Sequence, residues 1–173
     1  MRDKLRNRYQ VQKEVAQNSR FEGEIALSEL TRLGELLHPA GDTEELGKVM
    51  LDFEFSRNEF DVPMIAGHLR TRLGLECQRC LQPLELPLEL EFRLMIDASD
   101  ELLRSSSEDT LYSVDGFVDI VEVVEDELIL ALPLVAMHED TACNENWQVS
   151  GSISDTATKE NPFAVLQQLK TTD

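Results

Sequence analysis

Three cysteines and one histidine are the residues whose types and spacing could do chemistry. Cys77 and Cys80 form a Cys-x-x-Cys motif, and His138 and Cys143 lie far downstream with four residues between them. A Cys-x-x-Cys at a tight turn lets two thiolates converge on one metal ion, and a further Cys and His complete a tetrahedral set. The candidate ligands for zinc are therefore Cys77, Cys80, His138 and Cys143.

Two other interpretations of the same residues remain open. Three reduced cysteines without any metal are common in cytosolic proteins. A thiol-redox motif is the other alternative, but such a motif usually begins a helix after a strand, where the helix N-terminus lowers the thiol pKa. Cys77 instead lies at a predicted turn between two strands. No glycine-rich phosphate loop, Gly-x-Ser-x-Gly or His-Glu-x-x-His is present to indicate another kind of catalysis.

The charge of the chain is strongly negative and unevenly spread. The 173 residues carry a net charge of -18, yet residues 1–20 hold six bases and two acids. An acidic body argues against gripping nucleic acid by broad phosphate neutralisation and favours a basic partner. The first residues have two interpretations, a solvated terminus or an arm that touches RNA. The candidate RNA contacts are Arg2, Lys4, Arg6 and Arg8.

Alternating hydrophobic residues predict three consecutive strands at about 48–56, 63–76 and 84–96. In the last of them, seven apolar residues follow a strict period of two from Leu84 to Ile96. Opposite charges favour an antiparallel hairpin that pairs Arg72 with Glu89 and Arg70 with Glu91. This register places residues 78–83 in the connecting loop.

Two amphipathic helices are expected to pack with this sheet, at about 28–37 and 117–132. Ser28 is a plausible N-cap of the first helix. The second presents apolar residues on one face and Asp119, Glu122 and Asp126 on the other. The predicted class is α+β, and the acidic face is the candidate docking surface for a partner.

The C-terminal region is predicted to be a linker followed by a short motif. Asn161 and Pro162 suit the N-cap and first position of a short helix that continues with Phe163. These three residues are candidate partner contacts, although the helix could instead pack on its own domain. The expected organisation has four parts: a basic arm at 1–20, one α+β domain at 21–143, a polar linker at 144–160 and the motif at 161–173.

Three segments together resemble the YceD family of bacterial and plastid proteins. They are the cysteine motif at 76–81 that enters the long alternating strand, the run at 124–135 followed by His138 and Cys143, and the segment at 161–170. The segment that begins at Phe21 also fits, so the resemblance spans most of residues 20–170. Some relatives carry additional cysteines after the Leu-Pro segment, in a zinc-like arrangement, whereas this chain keeps only His138 and Cys143 there.

The resemblance implies a role in the accumulation of large-subunit (23S) ribosomal RNA, through its synthesis, processing or stability. Combined with the acidic body, it suggests a non-enzymatic cytoplasmic factor that docks a basic large-subunit ribosomal protein or an assembly or processing factor. Contact with rRNA is then direct or indirect, and no membrane is involved. The alternative is an enzyme, either a thiol-redox protein or a metal-dependent RNA-processing enzyme.

Overall fold

The computed structural model describes residues 5–38, 47–97, 109–113 and 115–143. The chain divides into two compact units, Met1–Asp140 and Thr141–Asp173. The first unit contains every strand and α-helix of the described residues, and the 3-10 turn Thr141–Cys143 is the described part of the second. Of the helices in the described ranges, none has the length and apolar character needed to span a bilayer.

A five-stranded sheet forms the first unit, in the order β2-β3-β4-β5-β6. Its strands are β2 (Arg20–Ala26), β3 (Lys48–Arg57), β4 (Pro63–Glu76), β5 (Pro83–Asp97) and β6 (Thr110–Tyr112). Neighbours are antiparallel except β6, which runs parallel to the end of β5. The three strands predicted from alternation are confirmed within one or two residues, and so is the α+β class.

The hairpin of β4 and β5 has the predicted partners but a register shifted by two residues. Glu89 pairs with Arg70 rather than Arg72, and Glu76 pairs with Pro83. A shift of two keeps every side chain on its own face, so the hydrophobic pattern could not distinguish the two registers. The loop that joins the strands therefore covers residues 77–82, which we call the cysteine loop.

Residues 8–20 are folded into the domain, which corrects the expectation of a solvated terminus for this part of the chain. Strand β1 (Arg8–Gln10) pairs with β7 (Phe117–Asp119), and helix α1 (Val11–Gln17) follows directly. Tyr9 is 1% exposed and its ring lies 4.5 Å from that of Phe21. The aromatic centre of the core comprises Tyr9, Phe21, Phe53 and Phe55. The apolar residues of 8–17 hold this segment in place despite its basic charge.

The helix expected at 28–37 is shorter and is capped differently. A 3-10 turn at Leu27–Glu29 precedes the short helix α2 (Thr31–Gly34). Ser28 does not cap it. Instead, the carboxylate of Glu125 accepts hydrogen bonds from the backbone N–H groups of Arg32 and Leu33, at 2.6 and 3.1 Å. A residue more than ninety positions away thus supplies the N-terminal cap.

The second predicted helix begins three residues later than expected. Residues Phe117–Asp119 form β7, and helix α3 covers Ile120–Ala131. The Asp119 side chain is the N-cap, since it accepts from the Val121 N–H at 3.0 Å. Pro133 follows the helix end at Leu132, as expected for a residue that cannot continue a helix. The predicted C-terminal helix lies outside the described residues.

Candidate metal centre

The cysteine loop is a tight connection that holds Cys77 and Cys80 close together. The Cys77 N–H donates to the Gln82 carbonyl at 3.0 Å, and the Leu81 N–H donates to the Cys77 carbonyl at 2.8 Å. Leu81 has φ +58°, in the left-handed region, which lets the chain turn back into β5. The loop therefore frees both thiols from the strand ladder and brings them to one end of the hairpin.

The segment after α3 returns to this loop and delivers His138. The Gln78 N–H donates to the Ala136 carbonyl at 2.8 Å, which binds the two backbones together. The Arg79 guanidinium donates to the Asp140 carbonyl at 2.9 Å and approaches the Met137 sulfur at 3.6 Å. The structure thus brings the distal histidine beside the cysteines, which the sequence separation alone could not show.

The His138 ring is oriented by contacts at both nitrogens. Nε2 lies 3.1 Å from the Pro83 carbonyl oxygen, which can only accept a hydrogen bond, so Nε2 carries the proton. Nδ1 is then the lone-pair nitrogen, and it lies 3.4 Å from the Cys80 sulfur. A metal-binding histidine almost always donates its second ring N–H to a carbonyl or carboxylate. His138 has this arrangement.

Cys77 has the properties of a thiolate ligand. Its side chain is fully buried, and burial by itself raises the pKa of a thiol. Backbone hydrogen bonds from Cys80, His138 and Arg79 outweigh that effect and lower the pKa of Cys77 to about 5. The His138 N–H, for instance, lies 3.5 Å from the Cys77 sulfur. Since metals bind the thiolate form, these N–H groups favour coordination at neutral pH.

The distances fit a tetrahedral zinc ion. With Zn–S of about 2.3 Å and Zn–N of about 2.0 Å, the sulfur and nitrogen at two corners of a tetrahedron lie about 3.5 Å apart. Cys80 Sγ and His138 Nδ1 are 3.4 Å apart, and the ligand atoms of Cys77, Cys80 and His138 all lie within 4.8 Å of one another. These three residues could hold the ion with little movement.

Cys143 is the remaining predicted ligand. It ends the 3-10 turn Thr141–Cys143 at the start of the second unit. The group within the first unit that could bind a metal is therefore Cys77, Cys80 and His138. Among the described residues, no other group of His, Cys, Asp or Glu side chains converges in this way.

The three acidic residues proposed for docking occupy different environments on α3. Asp119 is half-buried and is used as the helix cap. Asp126 is exposed and accepts from the Arg32 guanidinium at 2.7 Å. Glu122 is exposed and forms no ion pair among the described side chains. Glu125, which the sequence suggested was part of a solvated helix face, is buried and forms an ion pair with Arg32 at 2.7 Å.

Two of the four bases proposed for RNA contact take part in the fold. The Arg6 guanidinium lies 5.1 Å from the centre of the Tyr9 ring and pairs with the buried Glu14 at 3.4 Å. The Arg8 guanidinium lies 5.1 Å from the Phe117 ring centre. Arg2 and Lys4 fall outside the described residues. Asn161, Pro162 and Phe163, proposed as partner contacts, also fall outside them.

The contribution of Pro83 to the centre was not predicted from the sequence. Its carbonyl orients His138, and no side-chain pattern could have revealed a backbone acceptor. Of the predicted zinc ligands, Cys77, Cys80 and His138 lie close together in the structure.

Comparison with known proteins gives one consistent result. A family model described as "Large ribosomal RNA subunit accumulation protein YceD" matches residues 65–170, which include Cys77, Cys80, His138 and Cys143. A protein of Haemophilus influenzae named "Large ribosomal RNA subunit accumulation protein YceD" is 34% identical over 157 residues, 87% of either chain. No solved structure matches. The chain therefore belongs to the YceD family.

Proposed function

We propose that this protein is a non-enzymatic cytoplasmic factor that supports the accumulation of large-subunit (23S) ribosomal RNA. Membership of the YceD family carries the proposal, because the printed name of the family and of the Haemophilus influenzae relative states that role. The relative matches over most of its own length, so the inference does not depend on one shared motif. The step concerned is rRNA synthesis, processing or stability.

Zinc in this proposal is structural. Cys77, Cys80, His138 and Cys143 supply four protein ligands, and a four-ligand site leaves no position for a reacting water. The ion would hold the cysteine loop against the segment after α3. The orientation of His138 by the Pro83 carbonyl supports this role, since such second contacts fix a ligand before metal arrives.

The partner we propose is a basic large-subunit ribosomal protein or an assembly or processing factor, docked on the acidic face of α3. The face comprises Asp119, Glu122 and Asp126. A cleft of about 310 Å³ lies along it, and Arg8, Tyr112 and Phe117 line that cleft together with the three acids. Three carboxylates against one arginine leave the lining acidic, and lysine and arginine side chains pair with carboxylates, so a basic partner suits it.

Glu122 carries most of this docking role, for two reasons. The cap made by Asp119 and the ion pair of Asp126 with Arg32 already use those carboxylates within the fold. Glu122 is exposed on the same face. Direct contact with rRNA, if the protein makes it, is assigned to Arg2, Lys4, Arg6 and Arg8. Otherwise the partner makes the contact with rRNA.

The C-terminal motif has a separate place in the proposal. Asn161, Pro162 and Phe163 would insert into a partner groove at the end of the linker. The family model extends to residue 170 and so includes them. Exchange of Phe163 for serine tests this contact independently of the α3 face.

The decisive experiment purifies the tagged protein from a native lysate with and without ribonuclease, and measures mature and precursor 23S rRNA in cells that lack it. Glu122→Lys should weaken capture of a basic protein that survives ribonuclease and should lower mature 23S rRNA. Glu59→Lys is the matched control, since Glu59 is also an exposed glutamate but lies in the turn between β3 and β4. Normal 23S rRNA in cells without the protein would refute the function. Retention of precursor particles only while RNA is intact would refute docking through the acidic face.

A second candidate is a thiol-redox or metal-dependent RNA-processing enzyme. The pKa of about 5 for Cys77 favours it, because a thiolate at neutral pH is a nucleophile as well as a ligand. Rapid alkylation of Cys77 in the metal-loaded protein, or cleavage of precursor rRNA that is lost in Cys77→Ser, would support the enzyme. A slow alkylation that accelerates when a chelator removes zinc would support the structural site.

A further inference from the structure

Exposed apolar side chains are concentrated in two stretches of the first unit, the cysteine loop and residues 130–137. Among the described residues, ten large hydrophobic side chains are exposed, and five of them belong to Leu81 or to residues 130–137. We call these five the apolar platform: Leu81, Leu130, Leu134, Val135 and Met137. Leu134 is 99% exposed, and Leu130 is 80% exposed. Scattered exposed leucines need no explanation, but a concentration of this kind marks an interaction surface.

The backbone under the platform is firmly held. Ala136 is buried and its carbonyl accepts from the Gln78 N–H at 2.8 Å, between the exposed Val135 and Met137. The next residue, His138, contacts both Cys80 and Pro83. Val135 and Met137 therefore project from a backbone that is held on both sides.

Leu81 gives an independent reason to assign a contact role. It has φ +58° and is 66% exposed, so it combines a backbone conformation that favours glycine with an apolar side chain in water. Glycine would relieve both disadvantages. Packing within the domain does not explain the leucine, and a contact with another molecule does.

The rim of the platform is acidic. Glu76, Glu139 and Asp140 are exposed around the two segments. The neighbouring base, Arg79, is directed to the Asp140 carbonyl and the Met137 sulfur. An apolar surface with an acidic rim complements an apolar segment flanked by lysine or arginine.

We propose that the apolar platform binds an amphipathic segment of a basic protein, with its apolar residues on Leu81, Leu134, Val135 and Met137 and its bases toward Glu139 and Asp140. The platform is formed by the cysteine loop, the last turn of α3 and the segment after it, whereas Glu122 lies in the first turn of α3, so the two surfaces are at opposite ends of the helix. The proposal rests on the docking role given above and adds to it a second surface and the chemistry of the bound segment.

The test measures binding of a fluorescent helical peptide to the full-length, zinc-loaded protein by anisotropy. The peptide, about 15 residues long, places leucines at i, i+3, i+4 and i+7 and lysines on its other face. Leu134→Ser and Leu81→Gly should each weaken binding about tenfold or more. Phe60→Ser is the matched control, because Phe60 is 78% exposed outside the platform and should have no effect.

Leu81→Gly separates contact from folding. Because glycine accepts φ +58° without strain, this variant should keep its urea midpoint while it loses peptide affinity.

Equal binding of a peptide with the same composition but no apolar face would overturn the proposal, since charge alone would then explain the affinity. Tighter binding to Phe163→Glu would also overturn it, by showing that the chain's own C-terminal segment covers the platform. A dimer that Leu134→Ser dissociates would assign the surface to a second copy.

Failure here is distinguishable from failure of the proposed function. If the peptide does not bind but cells without the protein still lose 23S rRNA, the platform is refuted and the rRNA role stands. If peptide binding behaves as expected and 23S rRNA is normal in such cells, the platform stands and the rRNA role is refuted.

Discussion

Removal of the Glu125 side chain should lower the free energy of unfolding of the domain substantially. Its carboxylate is buried on α3, and it accepts from the backbone N–H groups of Arg32 and Leu33 and from the Arg32 guanidinium at 2.7 Å. The two N–H groups lie in the first turn of α2, where no neighbour in sequence caps them. Glu125→Ala removes the acceptor of all three donors at once.

The expected cost follows from these contacts. Hydrogen bonds to a charged group contribute about 1.5–3 kcal/mol each, and the two backbone donors are the enclosed ones. The Arg32 side chain is 55% exposed, so its ion pair adds only about 0–1 kcal/mol. Glu125→Ala should therefore destabilise the protein by about 3–5 kcal/mol, whereas Glu125→Gln, which keeps one acceptor oxygen, should cost about 2 kcal/mol.

The charge of Glu125 makes the stability of the domain depend on pH. Burial raises the pKa of Glu125, but the hydrogen bonds from Leu33 and Arg32 outweigh it and hold the pKa below the ordinary value of 4.5. The contribution of the ionised form is thus complete above pH about 4.5 and is lost as the pH falls through the folded-state pKa. The stability gap between wild type and Glu125→Gln should narrow in that window.

Urea unfolding monitored by circular dichroism, at several pH values, measures these differences. Glu122→Ala on the exposed face of the same helix is the control and should change stability by less than about 0.5 kcal/mol. A loss below about 1 kcal/mol in Glu125→Ala would refute the capping argument. A Glu125→Gln gap that does not change with pH would refute the role of the charge.

Three further outcomes follow from the described contacts. Elemental analysis should find one zinc per wild-type chain and much less in Cys80→Ser. The control Glu139→Ser changes a residue beside His138 but outside the ligand group, and it should keep its metal. Equal zinc in both variants would contradict the site. Gly67→Ala should cost about 1–3 kcal/mol in urea, since its Cβ would lie 2.6 Å from the Asp52 carbonyl oxygen and 2.7 Å from the Phe92 ring; an unchanged midpoint would show that the ring moves freely. Asp119→Ala should cost about 1 kcal/mol by removing the cap of α3, and Asp119→Asn should recover most of it; equal losses in both would contradict capping.

The sheet could be predicted from sequence because alternation is a local signal. The alternation from Leu84 to Ile96 shows which side chains share a face of the strand, whatever residues lie opposite them. The predicted strand bounds therefore agree with the observed ones to within one residue. The register could not be read with the same certainty. Pairing Glu89 with Arg70 or with Arg72 keeps every side chain on the same face of the sheet and opposes an acid to a base in both cases. The two registers were therefore equally compatible with the sequence, and the length of the turn determined which one formed.

The elements that were not predicted depend on contacts between residues far apart in sequence. The cap of α2 comes from Glu125, which looked like one acid in an exposed helix face. The burial of Tyr9 depends on rings that arrive from β2 and β3, whereas the charges around it suggested a solvated terminus. Local patterns report periodicity and cannot report which distant partner satisfies a polar group.

The register of the β4–β5 hairpin determines whether Cys77 is available to the candidate metal centre. In the register favoured by the charges, Cys77 would stand in the ladder opposite Leu84, with its thiol fixed by the strand. The observed pairing of Glu76 with Pro83 removes Cys77 from the ladder and lets its N–H bind the Gln82 carbonyl. It also places the Pro83 carbonyl where it orients His138. A shift of two residues, which the hydrophobic pattern cannot reveal, therefore brings two cysteines and a distant histidine together.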